Sequence, residues 1–289
     1  MRLLLTGGSG FLGGHVIPRL LADGHTVTAL GRSAAAAERV TALGATAIPG
    51  DLDDPASIDE AFAGSEAVAL VSLASLGFGH APTVIAAAEE AGIKRAVFVS
   101  TTAVYTTVAA PSLAVRRAAE DAIRASALAW TILRPSMIYG TPADRNMARL
   151  LVVLRRSPVV LVPGGGDRLQ QPVHVEDLAQ AVVTSVTREA AVEQTYDLAG
   201  PEALSFRRHL ELAADAVGLR PRLVHVPLGP AVAALRLYER VVPRPRLKAE
   251  QLERLAEDKA FDIEAARRDL DFRPRPFAEG IRQEAAMLS

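Results

Sequence analysis

The chain opens on Met1-Arg-Leu-Leu-Leu-Thr6 and then places glycines 7, 10 and 13 within Gly7-Gly8-Ser9-Gly10-Phe11-Leu12-Gly13. Residues 3–5 form an apolar run that reads as a buried strand, and residues 11–22 carry the amphipathic pattern of a helix. Glycine at those three places between a strand and a helix answers a specific physical demand. Gly7 permits the tight turn off the strand, Gly10 lets backbone approach a pyrophosphate, and Gly13 lets the helix pack closely on the sheet. The helix N-terminus then faces the phosphate charge. The expectation is a dinucleotide-binding βαβ unit.

The same alternation continues downstream. Strands are expected at residues 25–30, 45–48, 67–73, 95–100 and 130–134, with helices at 34–43, from Pro55, at 82–91 and at 112–125. Pro55 follows Asp54 and suits the first turn of its helix. Strands and helices at this spacing mean right-handed crossovers and an α/β, doubly wound parallel sheet of Rossmann type. A ligand belongs at the carboxyl ends of its strands, which gathers Gly7 to Gly13, Arg32, Asp51, residues 73–75 and residues 100–102 around one crevice. An acid at the end of the second strand bonds a free ribose 2′-hydroxyl, whereas a basic residue there favours a 2′-phosphate. Arg32 holds that place, so NADP is expected over NAD, with NAD the alternative.

Beyond Gly140 the alternation breaks down. Helices are expected at residues 146–156, 175–186, from Ser205, at 228–242, at 248–257 and after Asp262. Strands are expected at 195–198 and 222–226, and Pro163 to Asp167 reads as a loop. The division is a nucleotide-binding domain over residues 1–140 and a smaller, mixed C-terminal substrate lobe over 141–289, with the chain returning in part to the first after residue 170. Residues 228–242 are apolar on one face and precede a basic segment, Pro243 to Lys248. Packing of that helix on the lobe is the expectation, with contact at a membrane surface as the lesser reading.

Composition removes several classes. The chain has no cysteine, so disulfides and thiolate chemistry are excluded, and a cytoplasmic address is expected. Lys and Arg number 32 against 33 Asp and Glu, a formal charge of -1 that gives nucleic acid no basic field to bind. No apolar run is long enough to span a bilayer, so a soluble protein without membrane insertion is expected. The six histidines are scattered, and no metal site is expected.

With these residues assembled, the chain resembles the extended and atypical branches of the short-chain dehydrogenase/reductase superfamily, which include the NAD-dependent epimerases and dehydratases. Thr6 to Gly13 looks like the TGxxGxxG fingerprint of that family, and Gly50-Asp51-Leu52 is similar to its acidic turn near adenine. Phe98 to Tyr105 resembles the strand that carries the catalytic Ser/Thr. Leu133 to Gly140 resembles the LRPxxxYG segment by the nicotinamide, Pro172 to Ala179 the VHVxDLA segment, and 258–262 with 277–281 the usual ending. The resemblance implies cofactor contacts from Gly7, Ser9, Gly10, Phe11, Leu12, Arg32, Asp51, Leu52, Leu73, Ala74, Ser100, Arg116 and Pro135. It also implies a small-molecule substrate, and a homodimer in which the Ala-rich helix within 109–127 takes part.

One departure stands out. The family's catalytic Tyr and the Lys four residues later fall here on Ser112 and Arg116. Arg116 retains a positive charge for the ribose hydroxyls, but guanidinium is a poor proton partner, and an aliphatic hydroxyl is far too weak an acid to replace phenol. The replacements expected from sequence are the hydroxyl of Thr101, the phenol of Tyr105 and the imidazole of His80, with Tyr139 read as structural. Arg145 is a candidate for an anionic substrate, and His174 is expected to cap its helix or pack between lobes. Three functions remain open. One is an NADP-linked oxidoreductase or epimerase/dehydratase with a relocated proton donor. The others are a redox sensor or accessory protein that binds NADP without catalysis, and a non-redox enzyme reusing the crevice.

Overall fold

The computed structural model describes residues 1–144, 146–242 and 249–288. Arg145 and the basic segment 243–248 lie outside the described residues. The run Leu3-Leu4-Leu5 shows why the chain forms a two-faced sheet. Leu3 and Leu5 enter one apolar cluster and Leu4 the other, and each is almost wholly buried. Side chains that alternate across a strand need helices on both faces.

The chain supplies them in turn: β1 (Arg2–Thr6), α1 (Gly13–Ala22), β2 (Thr26–Gly31), α2 (Ala34–Ala42), β3 (Thr46–Pro49), α3 (Pro55–Gly64), β4 (Ala69–Ser72), α4 (Ala81–Glu90), β5 (Arg95–Val99), α5 (Pro111–Ala125) and β6 (Ala129–Pro135). After the short β7 (Ile138–Tyr139) come α6 (Met147–Arg156), β8 (Val159–Pro163), β9 (Leu169–Gln170), β10 (Val173–His174), α7 (Val175–Thr187) and β11 (Gln194–Leu198). The end of the chain is β12 (Leu204–Ser205), α8 (Phe206–Ala216), β13 (Arg222–Val226), α9 (Leu228–Val241), α10 (Ala249–Arg254), α11 (Glu264–Leu270) and α12 (Phe277–Met287).

The main sheet has seven strands in the order β11-β6-β5-β4-β1-β2-β3, all parallel, as a doubly wound fold requires. Apolar faces of α1, α7 and α11 cover one side, through Val16, Leu178 and Leu270 among others. Those of α3, α4 and α5 cover the other, through Phe62, Ile85 and Ile123. Each fully buried side chain of this size contributes about 1.5–3 kcal/mol. The sheet takes its last edge from β11, which pairs with β6 in register from Gln194 opposite Thr131. The helix α7 lies against α1 and is fastened there by Glu176, which accepts from His15 Nδ1 at 2.6 Å and also pairs with Arg19.

A third apolar cluster gathers α6, β8, α8 and α12 around Leu151, Val162, Leu210 and Ile281. Three two-stranded sheets stitch this smaller region together: β7 with β10, β9 with β12, and β8 with β13. The helix expected to pack on the lobe, α9, lies against α10 with Val232 and Leu235 half-buried, and none of its residues is fully buried. Among the described residues no helix is long and apolar enough to cross a membrane.

Candidate functional site

The glycine loop is built backbone against backbone. Gly7 has φ +71°, and a Cβ there would stand 2.8 Å from Ala74 N and 2.9 Å from the Leu73 carbonyl carbon. The turn off β1 therefore presses on the end of β4, and any side chain would force them apart. A Cβ on Gly13 would meet Gly8 O at 2.1 Å, so α1 cannot seat without glycine. Gly10 is different. Its amide donates to Gly7 O at 3.0 Å, and that oxygen is all a Cβ would approach, leaving the outward side of Gly10 open. This concave turn beside Ser9, Phe11 and Leu12, at the N-terminus of α1, fits the pyrophosphate of a dinucleotide.

The remaining cofactor candidates lie at carboxyl ends of the neighbouring strands. Arg32 is exposed just past β2, beside Ser33, whose hydroxyl caps α2 by accepting from Ala36 N at 3.3 Å. Asp51 follows β3 and folds its carboxylate back onto Asp53 N at 3.2 Å. Leu52 and Ala74 share a small recess with Ser75 and His80. Ser100 follows β5, and its hydroxyl donates to Glu120 at 2.7 Å. Pro135 ends β6, buried, its carbonyl accepting from the Thr102 hydroxyl at 3.4 Å. Arg116 lies against the loop after β4. A Cβ on Gly77 would come within 3.0 Å of its guanidinium, which donates to Ser112 Oγ at 2.6 Å.

A cavity of about 550 Å³ lies at the carboxyl ends of β5 and β6. Thr101, Tyr105, Ser136 and Met137 line it from the sheet side, and Arg254, Lys259 and Phe261 from the smaller region. Of the three expected proton donors, the structure leaves one with its proton available. Thr101 caps the short 3₁₀ turn Thr102–Tyr105 by accepting from Ala103 N at 3.2 Å, which orients the side chain and keeps the hydroxyl proton free to donate.

Tyr105, a proton-donor candidate from sequence, lines the same cavity but has its phenol engaged. Its phenol donates to Asp197 at 2.9 Å and accepts from Arg134 at 2.6 Å, and its ring stacks on Phe261 at 6.0 Å. Burial, with the Asp197 carboxylate behind it, pushes the phenol above its ordinary pKa, so it is a weaker acid than free tyrosine. His80 lies elsewhere: it precedes α4 without a capping side-chain bond, lines the Leu52 recess 3.6 Å from Asp53, and does not line the cavity that holds Thr101.

Sequence reasoning missed Lys259. Its backbone N–H donates to Leu169 O at 2.8 Å, which fixes the segment after α10 beside β9. It lines the cavity, and its side chain has no hydrogen bond or ion pair among the described residues. Burial, and to a lesser degree the nearby Arg254, lower its pKa, while Glu257 opposes that shift. Glu257 itself is fully engaged: it accepts from Thr107 N and Oγ1, each at 2.7 Å, and from Thr106 Oγ1 at 2.6 Å. The one sequence signal was the charged triplet Glu257-Asp258-Lys259, whose spacing says nothing about where it folds.

Behind the cavity, Glu120 is nearly inaccessible and accepts from Arg134, Arg124 and Ser100. His174 does cap α7, with Nδ1 accepting from Glu176 N at 3.3 Å. Its Nε2 is buried without a partner, edge-on to Tyr139 at 5.3 Å.

A sequence profile described as NAD(P)H-binding matches residues 7–189. The chain is 30% identical to 4-hydroxy-2-methyl-3-oxo-4-farnesyl-3,4-dihydroquinoline-1-oxide ketoreductase of Stigmatella aurantiaca, over 95% of this chain and 92% of that one. It is 28% identical to 2-alkyl-3-oxoalkanoate reductase of Stenotrophomonas maltophilia over 98% of each chain. Among solved structures, UDP-glucose 4-epimerase of Thermotoga maritima superposes with a TM-score of 0.77 at 17% identity, covering 100% of this chain and 98% of the other. Glycine cradle, parallel sheet and sequence kinship agree: the chain belongs to the NAD(P)H-binding, atypical branch of the short-chain dehydrogenase/reductase superfamily.

Proposed function

We propose that this protein is an NADPH-dependent ketone reductase in which Thr101 holds the carbonyl oxygen and Lys259 supplies the proton. The observation that carries the reading is that Thr101 and Lys259 line one cavity, at the carboxyl ends of β5 and β6. Bound NADPH supplies the hydride. Thr101, oriented by Ala103 N, donates a hydrogen bond to the oxygen as negative charge develops there. Lys259 then protonates that oxygen, and its amine recovers a proton from water. Met137, Ala256 and Phe261 give the cavity apolar walls, which suits a ketone with apolar substituents. The kinship with a ketoreductase and a 3-oxoalkanoate reductase supports the same class. Arg32, with no acid beside it at the end of β2, favours the 2′-phosphate of NADPH.

The rival reading, an NADP-binding protein without turnover, draws on the loss of a free phenol: Tyr105 is tied to Asp197, and Ser112 stands in the usual tyrosine place. Calorimetric titration with NADPH and NADH, followed by NADPH oxidation with ethyl 2-methylacetoacetate and a longer 2-alkyl-3-oxo ester, separates the two. Tighter NADPH binding, weakened by Arg32→Ala, together with turnover supports the reductase. Binding with no turnover on either ester favours the rival.

A further inference from the structure

We infer that the substrate is an anionic ketone, a 3-oxo acid whose carboxylate is bound by Arg254 and Lys259. The inference rests on the reductase reading for the ketone and adds the charged group. Arg254 ends α10 and lines the cavity together with Lys259. Its Nη2 pairs with Glu250 at 2.5 Å, whereas its Nε is buried and has no partner among the described residues. A guanidinium carries five N–H donors, so one carboxylate on one nitrogen leaves others to be met. A buried donor left unmet is rare in a folded chain, and it marks a place for an acceptor from outside the chain. Lys259, on the same wall, makes no ion pair among the described residues.

The acids on the wall are already taken. Glu257 accepts from Thr106 and Thr107, and Asp258 accepts from Leu169 N at 2.9 Å and from Arg168 at 3.0 Å. Burial lowers the pKa of Lys259 and of Arg116, and the charge of Arg254 lowers both further, with Glu257 opposing the shift at Lys259. Arg254 thus repels a cation of the cavity and a cation of the cofactor side at once, and an entering carboxylate relieves that repulsion. A neutral ketone would leave the Arg254 donor and the Lys259 charge unmatched. In a 3-oxo acid the ketone and carboxylate oxygens are near enough for one ammonium to reach both, so Lys259 holds the acid and still protonates the ketone oxygen. The carboxylate itself takes no part in the reduction. Met137, Ala256 and Phe261 leave the rest of the wall to hydrocarbon.

Steady-state NADPH oxidation with 2-methylacetoacetate and with its ethyl ester tests the charge directly, since the two differ only in the anion. The expected result in wild type is a KM about tenfold lower for the acid. Arg254→Gln should erase most of that preference by raising the KM of the acid, and Arg254→Lys should restore part of it. The comparison in wild type stands even if a variant fails to fold. Three results overturn the proposal: equal KM for acid and ester, a preference that Arg254→Gln leaves intact, or a loss of NADPH affinity in that variant as large as the loss for the acid. The last would assign the guanidinium to the cofactor. If neither compound is reduced, the reductase reading fails by itself. Calorimetric titration of the NADPH-bound protein with 3-hydroxy-2-methylbutyrate and its ethyl ester, a pairing that cannot react, then reads the anion site alone. Binding of the acid and not the ester keeps the site, and equal binding or none removes it.

Discussion

Arg116 donates to Ser112 at 2.6 Å, one helical turn earlier on α5, so the two residues that replace the usual Tyr and Lys are partners of each other. The guanidinium is held flat against the Gly77 loop on the cofactor side of the crevice. A charge fixed there serves binding, because guanidinium does not exchange its proton near neutral pH. Arg116→Ala is expected to weaken NADPH about tenfold, the worth of one charged hydrogen bond. Arg116→Lys should recover most of that affinity. Calorimetry reads both, and unchanged affinity in the alanine variant would remove Arg116 from the site.

If Lys259 is the proton source, turnover requires the ammonium. Burial and Arg254 place its pKa below the ordinary lysine value of about 10.4, with Glu257 opposing and Arg168 and Asp258 also on the cavity wall. Activity should then fall as pH rises through that lowered pKa, while NADPH affinity stays level. Lys259→Gln should lower kcat by about a hundredfold or more. Lys259→Arg should move the basic limb to higher pH with reduced kcat. A basic limb that persists in the glutamine variant would assign it elsewhere.

Glu120 sits at the centre of a buried charge network, taking Arg134, Arg124 and the Ser100 hydroxyl. Removing one member leaves Arg134 inside with the Tyr105 phenol as its remaining side-chain partner. Glu120→Ala is expected to cost about 3–5 kcal/mol in urea unfolding. Glu120→Gln, which still accepts hydrogen bonds, should cost less. Equal losses in the two would mean that packing, and not charge, sets the cost.

Glu284 gives a pH signature of stability. Burial raises it to about 9, helped by a hydrogen bond to Asp144, so the folded chain keeps a proton that the unfolded chain releases above about 4.5. Stability from this group is therefore full below that value and falls as pH rises toward 9. His174 works in the opposite direction: burial lowers it to about 4 from 6.5, so its effect ends near neutrality. Above neutrality Glu284 continues to act, and Lys259, whose pKa burial lowers, acts in the opposite direction. Glu284→Gln can still accept from Gly140 N, which bonds Glu284 at 3.1 Å. The variant should be more stable than wild type by about 1–2 kcal/mol at alkaline pH and lose that margin in mild acid. Thermal melts across pH read the difference, and parallel curves would refute it.

Much of the fold was legible because its signals are local. Gly7, Gly10 and Gly13 each answer a steric demand within a few residues, and the alternation of Leu3, Leu4 and Leu5 states that helices must lie on both faces. The small sheets were not legible. Paired strands such as β7 with β10 are two residues long, too short to show a period, and β8 became a strand through its pairing with β13.

The catalytic wall divides in the same way. Thr101 and the Ser112/Arg116 replacement could be read from position along a strand and a helix. That Tyr105 is bound to Asp197, that His80 belongs to the Leu52 recess, and that Lys259 lines Thr101's cavity depend on contacts between segments 92, 27 and 158 residues apart. Sequence thus determined the cofactor cradle, since a backbone turn is encoded by its own glycines. Tertiary structure alone decided which side chains share the cavity and which helix stays exposed, because burial and partnership are properties of the packed chain.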